Sequence, residues 1–231
     1  HRINDEGTKK TFRAAKQAGV KHILVASSAT AYGAWADNPI PIKEDHPIRV
    51  NKRFQYAIDK GNLEYFYREF SENNPAIKVT VVRPAIVFGP SVDNFLSRFI
   101  YAFPVTLLVN NGQTPLQFVH EEDVACVMVS ILDQEKTGVF NIGGDGWQTV
   151  EECCRIAGRK CVKVPFWFLR FIIGLLWLLR IKKMETPASI IDYFSYPWVV
   201  SNDKIKKELD YKMKYSSRET MQIMIENRNE K

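Results

Sequence analysis

The 231 residues hold 32 Lys and Arg against 26 Asp and Glu, a net charge of +6, with 45% hydrophobic and 25% charged residues. That balance excludes a disordered chain and suits one large globular domain or two small ones. The basic residues are mostly dispersed, with clusters at Lys9-Lys10, Lys182-Lys183 and between Lys204 and Lys214, and no nucleic-acid motif accompanies them. A solvated basic surface is therefore expected, and no nucleic-acid partner. Cys126, Cys153, Cys154 and Cys161 lack paired metal spacing and the four histidines are scattered, so no metal site is expected. Reduced thiols in a cytoplasmic protein are the default, and no signal peptide is read ahead of the first helical pattern.

Residues 6–18 read as a helix, with Phe12, Ala15 and Ala18 at helical spacing and Gly19 as its stop. "HILVASS" is a short apolar run, the pattern of a buried parallel strand. Residues 33–50 hold three prolines and Asp37-Asn38 and read as a long loop. A helix is predicted from Asn51 to about Phe70. "IKVTVVRPAIVFGP" is a second apolar strand, broken at Pro84 and Gly89, and helices are predicted near Phe95 to Ala102 and from Glu122 to Leu132. "GVFNIGG" is a third strand. The alternation argues for an α/β fold with a parallel sheet and flanking helices.

The last third differs. Val164 to Ile181 is densely apolar, yet its uninterrupted core, Phe171 to Leu179, is only nine residues, and Arg170 and Arg180 bound it. A membrane-spanning helix needs about 20. Apolar residues occupy nearly the whole circumference, which suits a surface helix poorly. A buried helix of a small cap is the first reading, with a substrate-lining or interfacial helix in membrane-surface contact as the second and a span as the third. The tail from Asn202 to Glu230 is polar and in part helical. The expected division is 1–150, a nucleotide-binding half-domain with interspersed cap segments, and 151–231, mainly a helical substrate cap and tail.

Tyr56 and Lys60 lie four residues apart in "FQYAIDKGNLEYF". With nine tyrosines in the chain, about one such pair arises by chance. Context strengthens it. Ser27 and Ser28 end the first strand, and ligands of open α/β sheets bind at the carboxyl edge. The helix carrying Tyr56 and Lys60 follows and can pass beside that edge. An ammonium beside the tyrosine would favour the phenolate, which could take a proton from a substrate hydroxyl while hydride leaves the same carbon.

Five segments in order, "NDEGTKKTFRAAKQAGVKHILVASSATAYG", "EDHPIRVNKRFQYAIDKGNLE", "VTVVRPAIVFGP", "QFVHEEDVA" and "GVFNIGG", resemble the extended short-chain dehydrogenase/reductases, the NAD-dependent epimerase/dehydratase group. The resemblance implies a partial Rossmann-like sheet and a small, mostly helical cap. It implies Tyr56 as base, Lys60 as the group that lowers its pKa and bonds the nicotinamide ribose, and Ser28 as the substrate-positioning serine, with Thr30 assisting. It puts Asn4 on the cofactor, Pro84 to Val87 beside the nicotinamide, and Asn141 and His120 in substrate-side blocks of less defined role. For His120 and Asp123 the plainer reading is a helix-start pair. NAD or NADP is implied, NAD favoured, with a small-molecule substrate and a homodimer among the partners.

Three departures stand out. No Gly-x-x-Gly-x-x-Gly turn occurs, so the N-terminal half of the nucleotide-binding domain is expected to be missing. Leu116 and Gln117 occupy the places of an Arg-Asp pair usual in sugar-nucleotide members. Ala29 and Thr30 replace the Asp-Glu pair of dehydratases. The expectation is an oxidoreductase or epimerase acting on a secondary alcohol of a sugar nucleotide or of a more apolar molecule. The alternative is a non-catalytic remnant or nucleotide-sensing module.

Overall fold

The computed structural model describes residues 6–93, 105–179 and 188–229. The helix expected near 95–102 and the cofactor residue Asn4 lie outside them. In chain order the elements are α1 (Thr8–Gln17), β1 (His22–Ala26), α2 (Gln55–Asn73), β2 (Lys78–Pro84), β3 (Ile86–Phe88), β4 (Val105–Leu108), β5 (Pro115–Leu116), β6 (Phe118–His120), α3 (Glu121–Asp133), β7 (Gly138–Ile142), β8 (Gln148–Thr149), α4 (Val150–Ile156), β9 (Lys160–Lys163), α5 (Phe166–Leu178), α6 (Asp192–Ser195), α7 (Asp203–Leu209) and α8 (Ser217–Asn229).

The fold is α/β, with a parallel sheet in the order β1-β2-β7. Its register pairs Ala26 with Val82 and Pro84 with Ile142. Both faces of the central strand are covered, as a near-continuous apolar run requires. Val79 and Val81 meet Phe12 of α1 and Leu63, Tyr67 and Phe70 of α2. Val82 points to the other face and joins the main core with Val127 and Ile131 of α3. Phe12 fixes α1 by ring contacts, 4.8 Å to Phe70 and 5.2 Å to Phe66, centroid to centroid. The residues of β1 are less buried than those of β2, because among the described residues β1 pairs on one side only.

α2 begins four residues later than its sequence pattern. Asn51 is used elsewhere: its Oδ1 accepts from the Ala34 N–H at 2.8 Å and its Nδ2 donates to the Ala34 carbonyl. That clamp closes the long loop and leaves Phe54 at the helix start. β2 and β3 form one sequence run and two strands. Proline lacks an N–H for the ladder, and past Pro84 the chain changes partners: Ala85 N bonds Ile142 O, then Ile86 N bonds Gln117 O.

The remaining strands are short pairs, β4 with β9 and β5 with β8. They gave no sequence signal because two to four residues are too few for a period. Thr149 and Glu152 cap α4 reciprocally. The core runs across the expected boundary at 150: Val150 and Cys153 share it with Ile205, Met221 and Met224 of the tail helices and with Phe118 and Phe140 of the sheet. The tail is therefore bound to the sheet, not to the cap alone.

The reading of 164–181 as a buried helix is corrected. α5 buries Leu169 and Ile173, but Trp167, Phe168, Phe171 and Leu175 are exposed. Apolar residues surround it because one side packs on protein and the other does not. No described helix is long and apolar enough to cross a membrane.

Gly33 closes the turn after β1 at φ +73°, and a Cβ there would stand 2.1 Å from the Arg49 carbonyl oxygen. Gly33→Ala is expected to cost about 2 kcal/mol or more, from left-handed strain plus displaced backbone. Urea unfolding of the variant would measure it; an unchanged midpoint would contradict the geometry.

Candidate active site

The site begins where β1 ends. Ser27 N bonds Val82 O, the last sheet link. Ser28 is extended and caps a single 3-10 turn, Ala29–Tyr32, by accepting from the Thr30 N–H. The Thr30 hydroxyl also donates to Ser28 Oγ, at 2.9 Å. Ser28 Oγ thus accepts twice, which leaves its own proton to give. Ser28 acts on the nearby Tyr56 hydroxyl and lowers its pKa. The Thr30 and Ser28 hydroxyls thus form a hydrogen-bonded pair beside Tyr56.

Tyr56 sits in the first turn of α2 and is 42% exposed, so its ring is open to a ligand. Burial around its hydroxyl raises the pKa above the ordinary tyrosine value, and Ser28 opposes that. Lys60, one turn on, donates from Nζ to the Ala26 carbonyl at 3.0 Å and lies 5.7 Å from the centre of the Tyr56 ring. Burial lowers its pKa and Glu64 opposes. The Lys60 ammonium is held by the end of β1, one turn of α2 from Tyr56. Ser27 Oγ, at the same edge, is buried without a hydrogen-bond partner.

Two groups at this site escaped the sequence reading. Tyr193 of α6 donates to the Thr30 carbonyl at 3.0 Å, and Phe54 meets its ring edge-on and that of Tyr56 at a tilt, 5.3 and 5.9 Å away centroid to centroid. Burial pushes the Tyr193 pKa far up, and its charge interaction with Tyr56 adds to the shift. It comes from 137 positions beyond Tyr56 and carries no local motif.

Arg83 is the second. Its side chain and that of Glu64 are 3% and 6% exposed, and they pair through two hydrogen bonds of 2.9 and 2.8 Å. Arg83 also donates to the Tyr32 hydroxyl at 2.6 Å, and Tyr32 donates to Asn141 at 2.8 Å. Burial works against the guanidinium's charge, but the bonds to Glu64 hold its pKa above the ordinary value. Burial pushes Tyr32 up to about 12. Arg83 thereby ties α2, one turn past Lys60, to the turn that carries Ser28.

Ser28, Thr30, Tyr56 and Lys60 are brought together. Pro84 ends β2, paired with Ile142 of β7, and Val87 follows in β3. Asn141 is not at the site: it is fully buried, its Nδ2 donates to Ile42 O and its Oδ1 accepts from Tyr32. His120 caps α3 through Nδ1, and Asp123 accepts from Tyr211 and from the Lys214 and Tyr215 N–H groups. Both are structural. Leu116 packs in the main core, and Gln117 bridges Gly144 and Val200, so neither faces a substrate.

A parallel α/β sheet with a serine, a tyrosine and a lysine at its carboxyl edge is the arrangement of dinucleotide-type folds, whose ligands bind at that edge. The profile of the NAD dependent epimerase/dehydratase family matches residues 1–143, and the chain belongs to that family. An uncharacterised protein of Mycobacterium tuberculosis is 29% identical over 218 residues, 93% of this chain and 57% of the relative. The chain thus spans little more than half the length of the curated relatives it matches. Among solved structures, dTDP-glucose 4,6-dehydratase of Bacillus anthracis in complex with NAD superposes with TM-score 0.72 at 17% identity, over 98% of this chain and 68% of that one. UDP-glucose 4-epimerase of Thermus thermophilus in complex with NAD gives 0.70 at 19%, over 97% and 69%.

Proposed function

We propose that this chain carries the catalytic groups of an NAD(P)-dependent oxidoreductase or epimerase acting on a secondary alcohol. The observation that carries the reading is the hydrogen-bonded pair of Thr30 and Ser28 hydroxyls at the carboxyl edge of β1, with Tyr56 beside them and the Lys60 ammonium at the same edge. Lys60, Ser27 with its unpartnered hydroxyl, Pro84 and Val87 would border the dinucleotide, and Asn4 by resemblance. The chemistry a nicotinamide supplies when bound is reversible acceptance of hydride. Tyr56 takes the hydroxyl proton of the substrate as its C–H bond breaks and a carbonyl forms. Ser28 donates to the reacting oxygen, and Thr30 holds Ser28. In an epimerase the same tyrosine returns the proton after the carbonyl compound has turned over.

The substrate class is a sugar nucleotide, in line with the named ligands of related proteins, or a more apolar alcohol such as a sterol or lipid-linked sugar. Loss of water is not expected. It needs an acid and a base beside the substrate carbon, and Ala29 has no titratable group while the Thr30 hydroxyl is bonded to Ser28. Full-length enzyme incubated with NAD and a panel of nucleotide sugars and sterols should give oxidised or epimerised products by mass spectrometry. A product lighter by one water, formed at enzymatic rates, would overturn the reaction class.

One feature favours the second reading, a non-catalytic nucleotide-sensing module or remnant: no glycine-rich phosphate turn occurs in these residues. The 231-residue chain by itself is therefore expected to bind NAD more weakly than micromolar. Calorimetric titration measures this directly, and micromolar binding would show a phosphate grip elsewhere in the chain.

A further inference from the structure

α5 presents an inverted surface. Leu169 and Ile173 pack inward with Val109 and Ile191. Outward stand Trp167, Phe168, Phe171, Leu175, Leu178 and Leu179, with Trp167, Phe171 and Leu178 exposed by 70, 65 and 71%. Their spacings of three and four place them in one stripe. Six large apolar side chains on one exposed stripe mark a surface that binds something.

Charge indicates what it binds. From Cys153 to Met184 the chain has eight basic residues and no acidic one. Of the 32 basic residues, 24 remain elsewhere against all 26 acidic ones, so the rest of the chain is formally −2. The whole positive excess lies on the segment that carries the stripe, and Arg155, Lys160 and Lys163 within it are exposed. A second copy docking through the same face would set like charge against like charge, since a two-fold interface is self-complementary. A protein partner's rim carries polar groups of mixed kind. An excess of one sign along the segment that carries the apolar stripe matches a uniformly anionic plane with an apolar interior. The described helix is 13 residues, or about 20 Å, against about 30 Å of hydrocarbon, so it lies in such a plane and does not cross it.

We propose that α5 and the basic segment that precedes it dock the protein on an anionic lipid surface. The apolar circumference of the helix then has a physical reason: one side packs on protein and the other enters the boundary between headgroups and acyl chains. This stands independently of the chemistry at Tyr56.

The test is co-sedimentation of the full-length protein with phosphatidylcholine vesicles, with and without phosphatidylglycerol. Binding should be about tenfold stronger with the anionic lipid and fall as salt screens it. Phe171→Glu combined with Leu178→Glu should reduce it by about tenfold or more with circular dichroism unchanged, because both positions are exposed. Lys160→Glu with Lys163→Glu should weaken binding to anionic vesicles. Absence of binding to either vesicle, equal binding to both, or binding indifferent to the Phe171 variant would overturn the proposal. So would loss of a dimer in sedimentation velocity on Phe171→Glu without vesicle binding, which would assign the face to a second copy.

Discussion

Tyr56→Phe is expected to lower turnover of the full-length enzyme by about 10²- to 10⁴-fold, the usual effect of removing a positioned proton-transfer group. The ring contact with Phe54, 5.9 Å between centroids, survives the change, so the fold and cofactor affinity should stay near those of the parent. Only the hydroxyl is lost. The pH dependence supplies a second signature. Burial raises the Tyr56 pKa, so the phenolate grows as pH climbs toward and through that raised value. For the parent, kcat/KM for alcohol oxidation should therefore rise through the alkaline range, and in the phenylalanine variant that limb should be missing. Steady-state kinetics across pH, with cofactor titration alongside, measures both. Near-normal turnover in the variant would remove Tyr56 from the chemistry.

Arg83→Leu should give the largest loss of stability. Glu64 would be left as a buried carboxylate without its partner, and breaking one side of a buried ion pair costs about 3–5 kcal/mol. At this chain length that is roughly a 10 °C fall in Tm. Glu64→Leu with Arg83→Leu should be less harmful than either single change, because no unpaired charge remains. The cycle is read from urea midpoints at constant slope. A double variant less stable than both singles would mean that packing, not charge pairing, dominates there. Arg83 also holds Tyr32 at the end of the Ser28 turn, so its loss should loosen both sides of the site.

Local sequence signals determined the main elements. Helical spacing around Phe12 gave α1, and apolar runs bounded by Gly and Pro gave β1, β2 and β7, because a strand buried on both faces must be apolar throughout. The candidate Ser28, Tyr56 and Lys60 were readable because two of them share a helix face at i and i+4 and the third ends a strand at the edge where ligands bind.

Tertiary structure alone decided the rest. Asn51 looked like the first residue of α2, yet a loop 17 positions away uses its amide. Asn141 belonged to a site-like block, but its hydrogen bonds are all in the core. Lys60 was placed correctly on the helix, and only the third dimension shows its ammonium turned to the end of β1. Tyr193 and Arg83 reach the site through contacts of 163 and 51 residues' separation, which no local period encodes. The composition of α5 suggested burial, because hydropathy counts apolar residues around a helix and cannot tell how much of its circumference the fold covers. The sequence supplies which side chains have proton-moving or apolar character; packing between distant segments decides which of them meet, which are consumed as struts, and which remain exposed.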